Sequence, residues 1–407
     1  MSKVVWIINQ YASTPATGMG GRHFYLAKEL VKKGYKVYII ASSSHHLLRN
    51  KPVFNQAFQL EVIDGINFVW VKLPSYAESR SKQRVINWFL FPWQILKLPT
   101  LIQDKPDAIL CSSPSPFSFL GGQRLARRFG VRLVFEVRDI WPLSLTEIDG
   151  YSPGHPFIRL MQWVEDRAYQ CSDFVISNLK YSFKHMISRG MKPEKFTWIP
   201  NGFSQDEVDQ KILLNSQAQK QLPNKPFVVG YTGTLGVANT LKTLIDAADR
   251  LHEYSDIAFV LVGSGREKAK LEQAVSDKKL SNVFFIDPIP KDEIQAMLTQ
   301  FDVCYIGLTN DPLFRFGVSP NKFFDYLYSG KAIIYGIDSG EYKPVEEMKA
   351  GLQVPAEDAE KLAEAILKIY CMPPEIRKQM GENGRKGVEP YEYGKLAQQL
   401  SNILFDK

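Results

Sequence analysis

The stretch "VVWIINQYASTPATGMGGRHFYLAKELVKKGYKVYIIAS", residues 4–42, joins two apolar runs of strand length through a glycine-containing loop and an amphipathic segment. That segment, "RHFYLAKELVKKG", has apolar side chains at helical spacing and ends in Gly34, a residue that favours the end of a helix. A strand, a helix and a strand in this order predict a right-handed crossover between parallel strands. The stretch therefore predicts an α/β fold.

The same alternation of strand-length and helix-length segments continues along the chain. It pauses at one polar stretch, "SQDEVDQKILLNSQAQKQLP", residues 204–223, and then starts again. This pattern predicts two doubly wound α/β domains. We expect them at residues 1–203 and 226–385, joined by a linker at 204–225, with a C-terminal helix in residues 386–407 that docks back on the N-terminal domain.

The charge of the chain is divided unevenly between its halves. Residues 1–200 contain 26 Lys and Arg against 14 Asp and Glu, whereas residues 201–407 contain 24 against 29. All seven tryptophans also fall within residues 1–200. A basic half rich in aromatic side chains suits an anionic surface or ligand. It contains no recognisable nucleic-acid-reading module, so nucleic acid is not expected as a partner.

The cysteines and the apolar segments indicate the compartment. The four cysteines are far apart and form no Cys-x-x-Cys pair, so neither a disulfide framework nor a zinc site is expected. The first apolar run is too short for the core of a signal peptide. Residues 85–102 are the longest apolar stretch, but Asn87, Pro92, Lys97 and Pro99 interrupt it. We therefore expect a cytoplasmic protein.

Glycine-rich loops follow the first strand of each predicted domain. In open α/β sheets, ligands bind beyond the carboxyl ends of the strands, and two facing domains would share one cleft there. Gly18, Gly20 and Gly21 precede the first helix, but His23 stands where a dinucleotide fingerprint requires its third glycine. No acidic residue ends the second strand, which argues against a nicotinamide dehydrogenase. The histidines that follow this strand, His45 and His46, are expected to be solvated.

The second domain has loops of a similar kind. "GYTGTLG", residues 230–236, could bring amides and hydroxyls up to a phosphate but lacks the lysine of a Walker loop. "VLVGSG", residues 260–265, repeats the design. Two cations lie further along, in "FRFGVSPNKFFDYLYSGKAII", residues 314–334. Arg315 and Lys322 would reach the same sheet edge and clamp a diphosphate, with Asp325 accepting from ribose. The alternative is a turn, a helix and a strand with two solvated cations.

Six pieces of the chain, taken together, resemble glycosyltransferase family 4. They are "GMGGRHFYLAKELVKKGYKV", "VFEVRDIWPLSL", "WIPNGF", "VVGYTGTLG", "VLVGSGREKAKLE" and the 314–334 stretch. Within the family, the chain is similar to bacterial O-antigen and capsule enzymes, including L-fucosamine transferases. The resemblance implies a GT-B fold, two facing Rossmann-like domains with a cleft between them. It also implies an N-terminal domain for the acceptor and a C-terminal domain for a nucleotide sugar, expected to be a UDP-sugar.

The chain departs from the family pattern at two places. Where the family has two glutamates separated by seven residues, this chain has Gly317 and Asp325. Where the family often has His-Asp after an N-domain strand, this chain has Arg138 and Asp139. By its place in "FIDPIPKDEI", residues 285–294, the resemblance implies that Ile289 would offer backbone groups to the base of the nucleotide.

The expected site residues fall into three groups. Glu136 and Asp139 are expected either to orient the acceptor or to form an ion pair with Arg138 at the end of a strand. No Asp-x-Asp occurs, so no metal is expected on the diphosphate, and no cofactor beyond the donor. The catalytic candidates are Arg315, Lys322, Arg138 and Asp139. The donor-binding candidates are Gly20, Gly21, Gly233, Thr234, Gly265, Ile289, Ser319, Asn321 and Asp325. The acceptor-binding candidates are Glu136, Trp141 and His23.

The expected activity is retaining transfer from a nucleotide sugar to a lipid-diphosphate-linked saccharide in O-antigen, capsule or exopolysaccharide synthesis. The basic and aromatic segment at residues 79–97 would either lie at an anionic membrane surface or pack on the N-domain sheet. If the segment lies at an anionic membrane surface, the protein is expected to be peripheral on the inner face of the cytoplasmic membrane. The alternatives are a nucleotide-sugar epimerase or hydrolase of the same fold, and a non-catalytic nucleotide-sugar-binding subunit. The last alternative is suggested by Gly317, which stands where the family has its first glutamate.

Overall fold

The computed structural model describes residues 2–18, 21–76, 81–210 and 212–406. Gly20, and residues 79–80 of the basic and aromatic segment, lie outside the described residues. The chain divides into two compact units. Unit 1 comprises Met1–Gly202 together with Tyr393–Lys407, and unit 2 comprises Phe203–Glu392.

Unit 1 is built on an eight-stranded sheet with the order β3-β4-β2-β1-β5-β6-β7-β8. Its strands are β1 Val4–Ile8, β2 Lys36–Ser42, β3 Phe58–Ile63, β4 Ile66–Val71, β5 Ala108–Ser112, β6 Arg132–Val137, β7 Phe174–Ser177 and β8 Phe196–Trp198. Its helices are α1 Arg22–Lys32, α2 Lys82–Ile95, α3 Leu98–Leu101, α4 Ser118–Phe129, α5 Leu143–Glu147, α6 Pro156–Cys171 and α7 Phe183–Ser188, with a 3-10 turn at Pro193–Lys195 and, from the end of the chain, α17 Tyr393–Phe405.

Unit 2 is built on a six-stranded sheet with the order β11-β10-β9-β12-β13-β14. Its strands are β9 Phe227–Thr232, β10 Ile257–Val262, β11 Val283–Ile286, β12 Val303–Gly307, β13 Ala332–Gly336 and β14 Gly351–Val354. Its helices are α8 Gln205–Val208, α9 Ser216–Gln221, α10 Leu241–Arg250, α11 Lys268–Asp277, α12 Ile294–Thr299, α13 Asn321–Ser329, α14 Pro344–Glu347, α15 Ala359–Tyr370 and α16 Pro374–Gly387. Short 3-10 helices lie at Val237–Asn239, Lys291–Glu293, Pro312–Phe316 and Glu389–Tyr391.

Both sheets reverse their strand order beside their first strand. In unit 1 the reversal falls between β1 and β5, and in unit 2 between β9 and β12. The strands pair in parallel, except that β3 runs antiparallel to β4 at one edge. Every residue of β1 and of β9 is buried, as expected for parallel strands covered on both faces. The crevice beyond the carboxyl ends at each reversal is where such sheets bind ligands.

Residues 204–225 differ from the predicted linker, because they lie within unit 2. Leu214 and Ala218 are buried in a core cluster that also contains Val228. The backbone and side-chain nitrogens of Asn215 both donate to Glu293, at 3.0 and 2.6 Å. This stretch is mostly polar, so its composition does not indicate that two of its apolar side chains, Leu214 and Ala218, are part of the core of unit 2.

Helix α17 forms part of unit 1. Its Leu396, Ala397 and Leu400 are buried in the core cluster that contains the α1 side chains. The ring of Tyr393 stacks on Tyr25 of α1 at 5.0 Å. Unit 1 is therefore assembled from both ends of the described chain.

The segment expected either at a membrane or on the sheet forms α2 and presents two faces. Its inner face is buried and includes Trp88 and Phe91, at 4% and 0% exposure. Its outer face is exposed and includes Ile86 and Trp93, at 49% and 67%. In the described part of the chain, no helix combines the length and the apolar character that crossing a membrane requires.

Candidate functional site

Lys322 is held over the loop that follows β9. It is the second residue of α13, and its Nζ donates to Tyr231 Oη at 2.6 Å and to Asn239 Oδ1 at 2.9 Å. The ammonium also lies 4.1 Å from the centre of the Tyr231 ring. Because β9 borders β12, this places the Lys322 ammonium at the strand-order reversal of unit 2.

The surroundings of Lys322 oppose its positive charge. Burial lowers the pKa of Lys322 to about 7. Its hydrogen-bond partners are neutral, since burial raises the pKa of the Tyr231 phenol and Asn239 carries an amide. A half-buried cation beside neutral acceptors gains stability from an anion more than a solvated lysine would. The arrangement is suited to a phosphate.

Glycines fix the β9 loop against the loop that follows β10. A Cβ on Gly263 would lie 2.0 Å from the carbonyl oxygen of Gly233, and one on Gly265 would lie 2.1 Å from that of Leu235. Backbone hydrogen bonds join the two loops. The backbone nitrogen of Gly233 donates to the carbonyl of Val262 at 2.9 Å, and that of Leu235 donates to a carbonyl in the loop after β10 at 2.8 Å. Gly265 therefore allows this close packing, which fixes the shape of the loop beside Lys322.

The exposed Thr234 lies in this loop, next to the lysine site. Its carbonyl oxygen accepts from Tyr231 Oη at 2.8 Å and from Asn239 Nδ2 at 3.0 Å. The helix that carries Lys322 is tied to the same strand, because Tyr326 Oη accepts from the backbone of Thr232 at 2.8 Å. The two partners of Lys322 are therefore held in place by the loop itself.

Arg315 lies on the short helix Pro312–Phe316 and is exposed. Its guanidinium donates to the carbonyl of Pro312 at 2.6 Å and lies 4.4 Å from the ring of Phe316. Gly317, which ends this helix, has a φ of +89°. A side chain is strained at that φ, which is a physical reason why glycine replaces the family's first glutamate.

The other candidates from the unit 2 sequence lie along the same elements. The carboxylate of Asp325 pairs with Lys291 Nζ at 2.7 Å, so its expected ribose partner would compete with a lysine. Ile289 lies in the loop after β11 and packs against a core cluster. Ser319 precedes α13 and is partly buried, while Asn321 begins the helix and is exposed.

In unit 1, Glu136 is the centre of a buried polar cluster at the end of β6. Its carboxylate accepts from Arg22 Nε at 2.7 Å, from His23 Nε2 at 2.5 Å and from Ser112 Oγ at 2.6 Å. Arg22 and His23 are the first residues of α1, which follows Gly21. The cluster therefore joins β6 and β5 to the start of α1, beside the strand-order reversal of unit 1.

The protonation of this cluster follows from its contacts. Burial alone would raise the pKa of Glu136, but contacts with His23 and Arg22 hold it well below its usual range. Burial lowers the pKa of His23, which leaves a neutral imidazole that donates from Nε2. Asn9 Nδ2, 3.3 Å from His23 Nδ1, then donates to the unprotonated nitrogen. The cluster holds one carboxylate against one guanidinium.

The ion-pair partner of Glu136 is Arg22 rather than Arg138, the alternative that the sequence left open. The structure also corrects two expectations for this region. Glu136 and His23 are 0% and 1% exposed, so they support the end of the sheet instead of presenting a surface to an acceptor. His45, expected to be solvated, is buried, and its Nε2 lies 3.3 Å from the carbonyl of Ala12.

The loop after β6 carries the remaining candidates. The backbone nitrogens of Arg138 and Asp139 donate to Ser113 Oγ at 2.8 and 3.4 Å. Arg138 Nε is buried and makes no hydrogen bond with the described residues. Asp139 is exposed as a residue, but burial of its carboxyl group raises the pKa of that group. Trp141 meets Trp88 of α2 edge to face at 5.3 Å. The residues of this loop are thus placed at the carboxyl edge of the sheet.

Sequence reasoning missed several members of both clusters. Arg22 carried a signal, because a lone carboxylate in the apolar strand "VRLVFEV" requires a buried cation. Tyr231 had a weaker one, as a polar aromatic at the end of a buried strand. The other missed members, which carried no signal of their own, are Asn9, Ser112 and Asn239.

Among the described residues, no group of three or more His, Cys, Asp or Glu side chains is placed to hold a metal ion.

Comparison with known proteins identifies the class of this fold and site. Residues 17–207 match the Glycosyltransferase Family 4 model, and residues 214–387 match the Glycosyl transferases group 1 model. The molecule is thus a glycosyltransferase with a GT-B fold, which confirms the predicted fold class. More particularly, the chain belongs to the glycosyltransferases of family 4 with a group 1 domain, as the sequence resemblance indicates.

Similar proteins were found by sequence and by structure. WcaI of Escherichia coli K12, named for glycosyl transfer in colanic acid biosynthesis, is 24% identical over 92% of this chain and 93% of its own. Sucrose-phosphate synthase of Thermosynechococcus elongatus superposes with a TM-score of 0.73 at 18% identity, covering 98% of both chains. HepE of Anabaena, solved with UDP and glucose, gives a TM-score of 0.67 at 15% identity, covering 99% of both chains. At these identities the two structures establish the fold alone.

Proposed function

We propose that this protein transfers a sugar, with retention at the anomeric carbon, from a UDP-sugar to a lipid-diphosphate-linked saccharide. The observation that carries the proposal is the half-buried Lys322 ammonium over the β9 loop, where it would meet the diphosphate. The presence of UDP in HepE, a protein of the same fold, supports the choice of donor. The name of WcaI supports a role in surface polysaccharide synthesis, of the O-antigen, capsule or exopolysaccharide type.

The proposed chemistry needs little from the protein besides charge and position. As the anomeric C–O bond breaks, negative charge develops on the leaving diphosphate, and a preorganised cation stabilises it. The acceptor hydroxyl attacks the anomeric carbon on the same face from which the diphosphate departs. An oxygen of the leaving diphosphate therefore takes the proton of that hydroxyl. Lys322 and, after rotation, Arg315 supply the charge. Asp325 and the backbone at Ile289 contact the nucleoside.

Metal independence is part of the proposal, since the chain has no Asp-x-Asp to hold a cation on the diphosphate. The experiment is a product assay in which UDP-sugars and a lipid-linked acceptor are incubated with and without EDTA. Transfer that survives EDTA supports the whole proposal, and activity restored only by magnesium or manganese contradicts the metal-free route. Donor consumption without acceptor indicates a hydrolase or epimerase, and binding without turnover indicates a non-catalytic subunit.

Donor affinity should fall as the pH rises above about 7. A bound diphosphate raises the pKa of Lys322, so binding above that pH requires uptake of a proton. The dissociation constant of the UDP-sugar should increase about tenfold per pH unit above pH 7 and change little below it. Calorimetry in buffers of different ionisation enthalpy measures both the affinity and the proton uptake.

The Lys322→Arg variant is the control for this pH dependence. A guanidinium stays protonated throughout the range, so its donor affinity should be nearly independent of pH. An equal slope in the wild type and in Lys322→Arg would show that another group takes up the proton, and would contradict the assignment.

The proposed location is peripheral, on the inner face of the cytoplasmic membrane. The outer faces of α2 and α6 expose Trp93 and Trp163, at 67% and 53%. Exposed arginines on α4, among them Arg124 and Arg128, add positive charge to unit 1. Tryptophan and basic side chains together favour the interface of an anionic bilayer.

Removal of both exposed tryptophans should weaken binding to vesicles. Trp93→Ala with Trp163→Ala should lower the affinity for anionic vesicles by about tenfold or more, because two apolar side chains no longer insert. Wild-type binding should require anionic lipid and weaken with salt, as measured by co-sedimentation. Tyr254→Ala, at an exposed aromatic of unit 2, is the matched control. Binding that ignores lipid charge, salt and both tryptophans would refute this location.

A further inference from the structure

Two neighbouring grooves lie in unit 1, between α2 and α6. The larger has a volume of about 730 Å³, and its lining includes the aromatic side chains Trp88, Trp141 and Tyr151 together with the polar residues Arg84, Asp149 and His155. The smaller has a volume of about 170 Å³ and a lining that is almost wholly apolar. Its lining includes Phe89, Trp93, Leu96, Leu120 and Leu160, with Arg124 as a charged member.

The grooves share a wall of aromatic rings. Phe89, which lines the apolar groove, lies 6.4 Å from Phe157, which lines the larger one. Phe117 contacts both, at 4.6 Å from Phe89 and 6.1 Å from Phe157. The two grooves are therefore consecutive sections of the same face.

Arg84 places a positive charge at a fixed point in the larger groove. The centre of its guanidinium lies 5.1 Å from the Trp88 ring, 5.5 Å from the Trp141 ring and 5.7 Å from the Tyr11 ring. Its Nε donates to Tyr11 Oη at 3.2 Å. A guanidinium held among three rings is preorganised, so little side-chain entropy is lost when it binds an anion.

The order of these features along unit 1 gives the face a direction. Trp141 follows Asp139 by two residues in the loop after β6, so the larger groove begins at the carboxyl edge of the sheet. From that edge the features are an aromatic platform, a fixed cation and an apolar groove. The exposed ring of Trp93 lies at the apolar end.

We propose that the two grooves form one binding track for the acceptor, a polyprenyl-diphosphate-linked saccharide. The prenyl chain occupies the apolar groove, the diphosphate lies at Arg84, and the accepting sugar stacks on Trp141. The proposal rests on the proposed function and adds where the acceptor binds and in which direction. A free sugar would leave the apolar groove unused, and a bilayer surface would not fill a concave aromatic groove.

Farnesyl diphosphate is a suitable probe of the track, with inorganic diphosphate and farnesol as its separate parts. Binding to the full chain is followed by tryptophan fluorescence, since Trp88, Trp93 and Trp141 line the two grooves. Saturating UDP is present throughout to occupy the diphosphate site of unit 2. Farnesyl diphosphate should bind more tightly than either part, because it fills both sections of the track.

Two variants test the two sections separately. Arg84→Ala should weaken farnesyl diphosphate roughly ten- to a hundredfold, the loss of a hydrogen bond to a charged group. Leu160→Asp, at a surface position 40% exposed, should weaken farnesyl diphosphate about tenfold and leave inorganic diphosphate unchanged. The exposed Arg159 lines neither groove, so Arg159→Ala removes a nearby charge as the matched control.

The results separate this proposal from the proposed function. Wild-type affinity for farnesyl diphosphate in both Arg84→Ala and Leu160→Asp would overturn the track, and so would equal weakening by Arg159→Ala. UDP binding and donor consumption are measured in the same variants. If these are intact while the track fails, the donor site stands and the acceptor binds elsewhere. If Arg84→Ala does not fold, Leu160→Asp alone decides.

Discussion

Replacing Lys322 with alanine is expected to lower kcat about 100- to 1000-fold, the usual effect of losing one preorganised group that stabilises developing charge. The lysine should matter more as the diphosphate leaves than when the donor first binds. Its loss should therefore appear in kcat at least as strongly as in the donor KM. Steady-state rates of sugar transfer at saturating acceptor measure both.

Two further variants make this result specific. Tyr231→Phe keeps the ring under the ammonium and removes one hydrogen-bond acceptor, so it should lower kcat by less. Lys242→Ala, at a lysine 74% exposed on α10, is the control and should leave kcat unchanged. A folded Lys322→Ala protein with near-normal transfer would mean that the diphosphate leaves from another part of the molecule.

Glu136→Gln is expected to lower the free energy of unfolding of unit 1 by about 3–5 kcal/mol, because it leaves the buried guanidinium of Arg22 without its counter-charge. A loss of this size approaches the whole stability of many domains. All seven tryptophans lie in unit 1, so denaturant unfolding followed by tryptophan fluorescence reports this unit.

A second change in the same protein tests the cause of this loss. Arg22→Met in the Glu136→Gln background removes the unpaired charge and should recover part of the stability, which a general packing defect would not. Glu194→Gln, at an exposed position of unit 1, should change stability by less than about 0.5 kcal/mol. Full stability in Glu136→Gln alone would show that the Arg22 pair contributes nothing.

The alternation of apolar runs predicted the fold class because the central strands of a parallel sheet are buried on both faces. The strands β1, β2, β9 and β10 are of this kind and were plain in the sequence. The edge strand β3 was not, because its side chains are mostly half-exposed and it runs antiparallel to its neighbour. β14 is short and also at an edge, so its four residues gave no apolar run.

The candidate site was predicted where a single segment contains the signal. Lys322 stood out because it follows a glycine, a serine and a proline at the start of a helix. The partner of Glu136 was not predicted, because nearness in sequence offered only Arg138 as an alternative, whereas the β1-β5-β6 order brings in Arg22. The burial of His45 was missed for a similar reason, since it depends on contacts that form only in the folded unit. Contacts between distant segments require the strand order, which the sequence pattern does not contain.

The return of α17 to unit 1 has a consequence for how the chain acquires its structure during synthesis. Unit 2 is one continuous stretch, Phe203–Glu392, so all of it leaves the ribosome before the last helix of unit 1 does. The usual order, in which the N-terminal domain folds first, is therefore reversed for the completion of unit 1. Until α17 arrives, the apolar surfaces of α1, β5 and β6 that it covers stay open to solvent and to chaperones. A helix that is translated after the whole of unit 2 thus determines when unit 1 is finished.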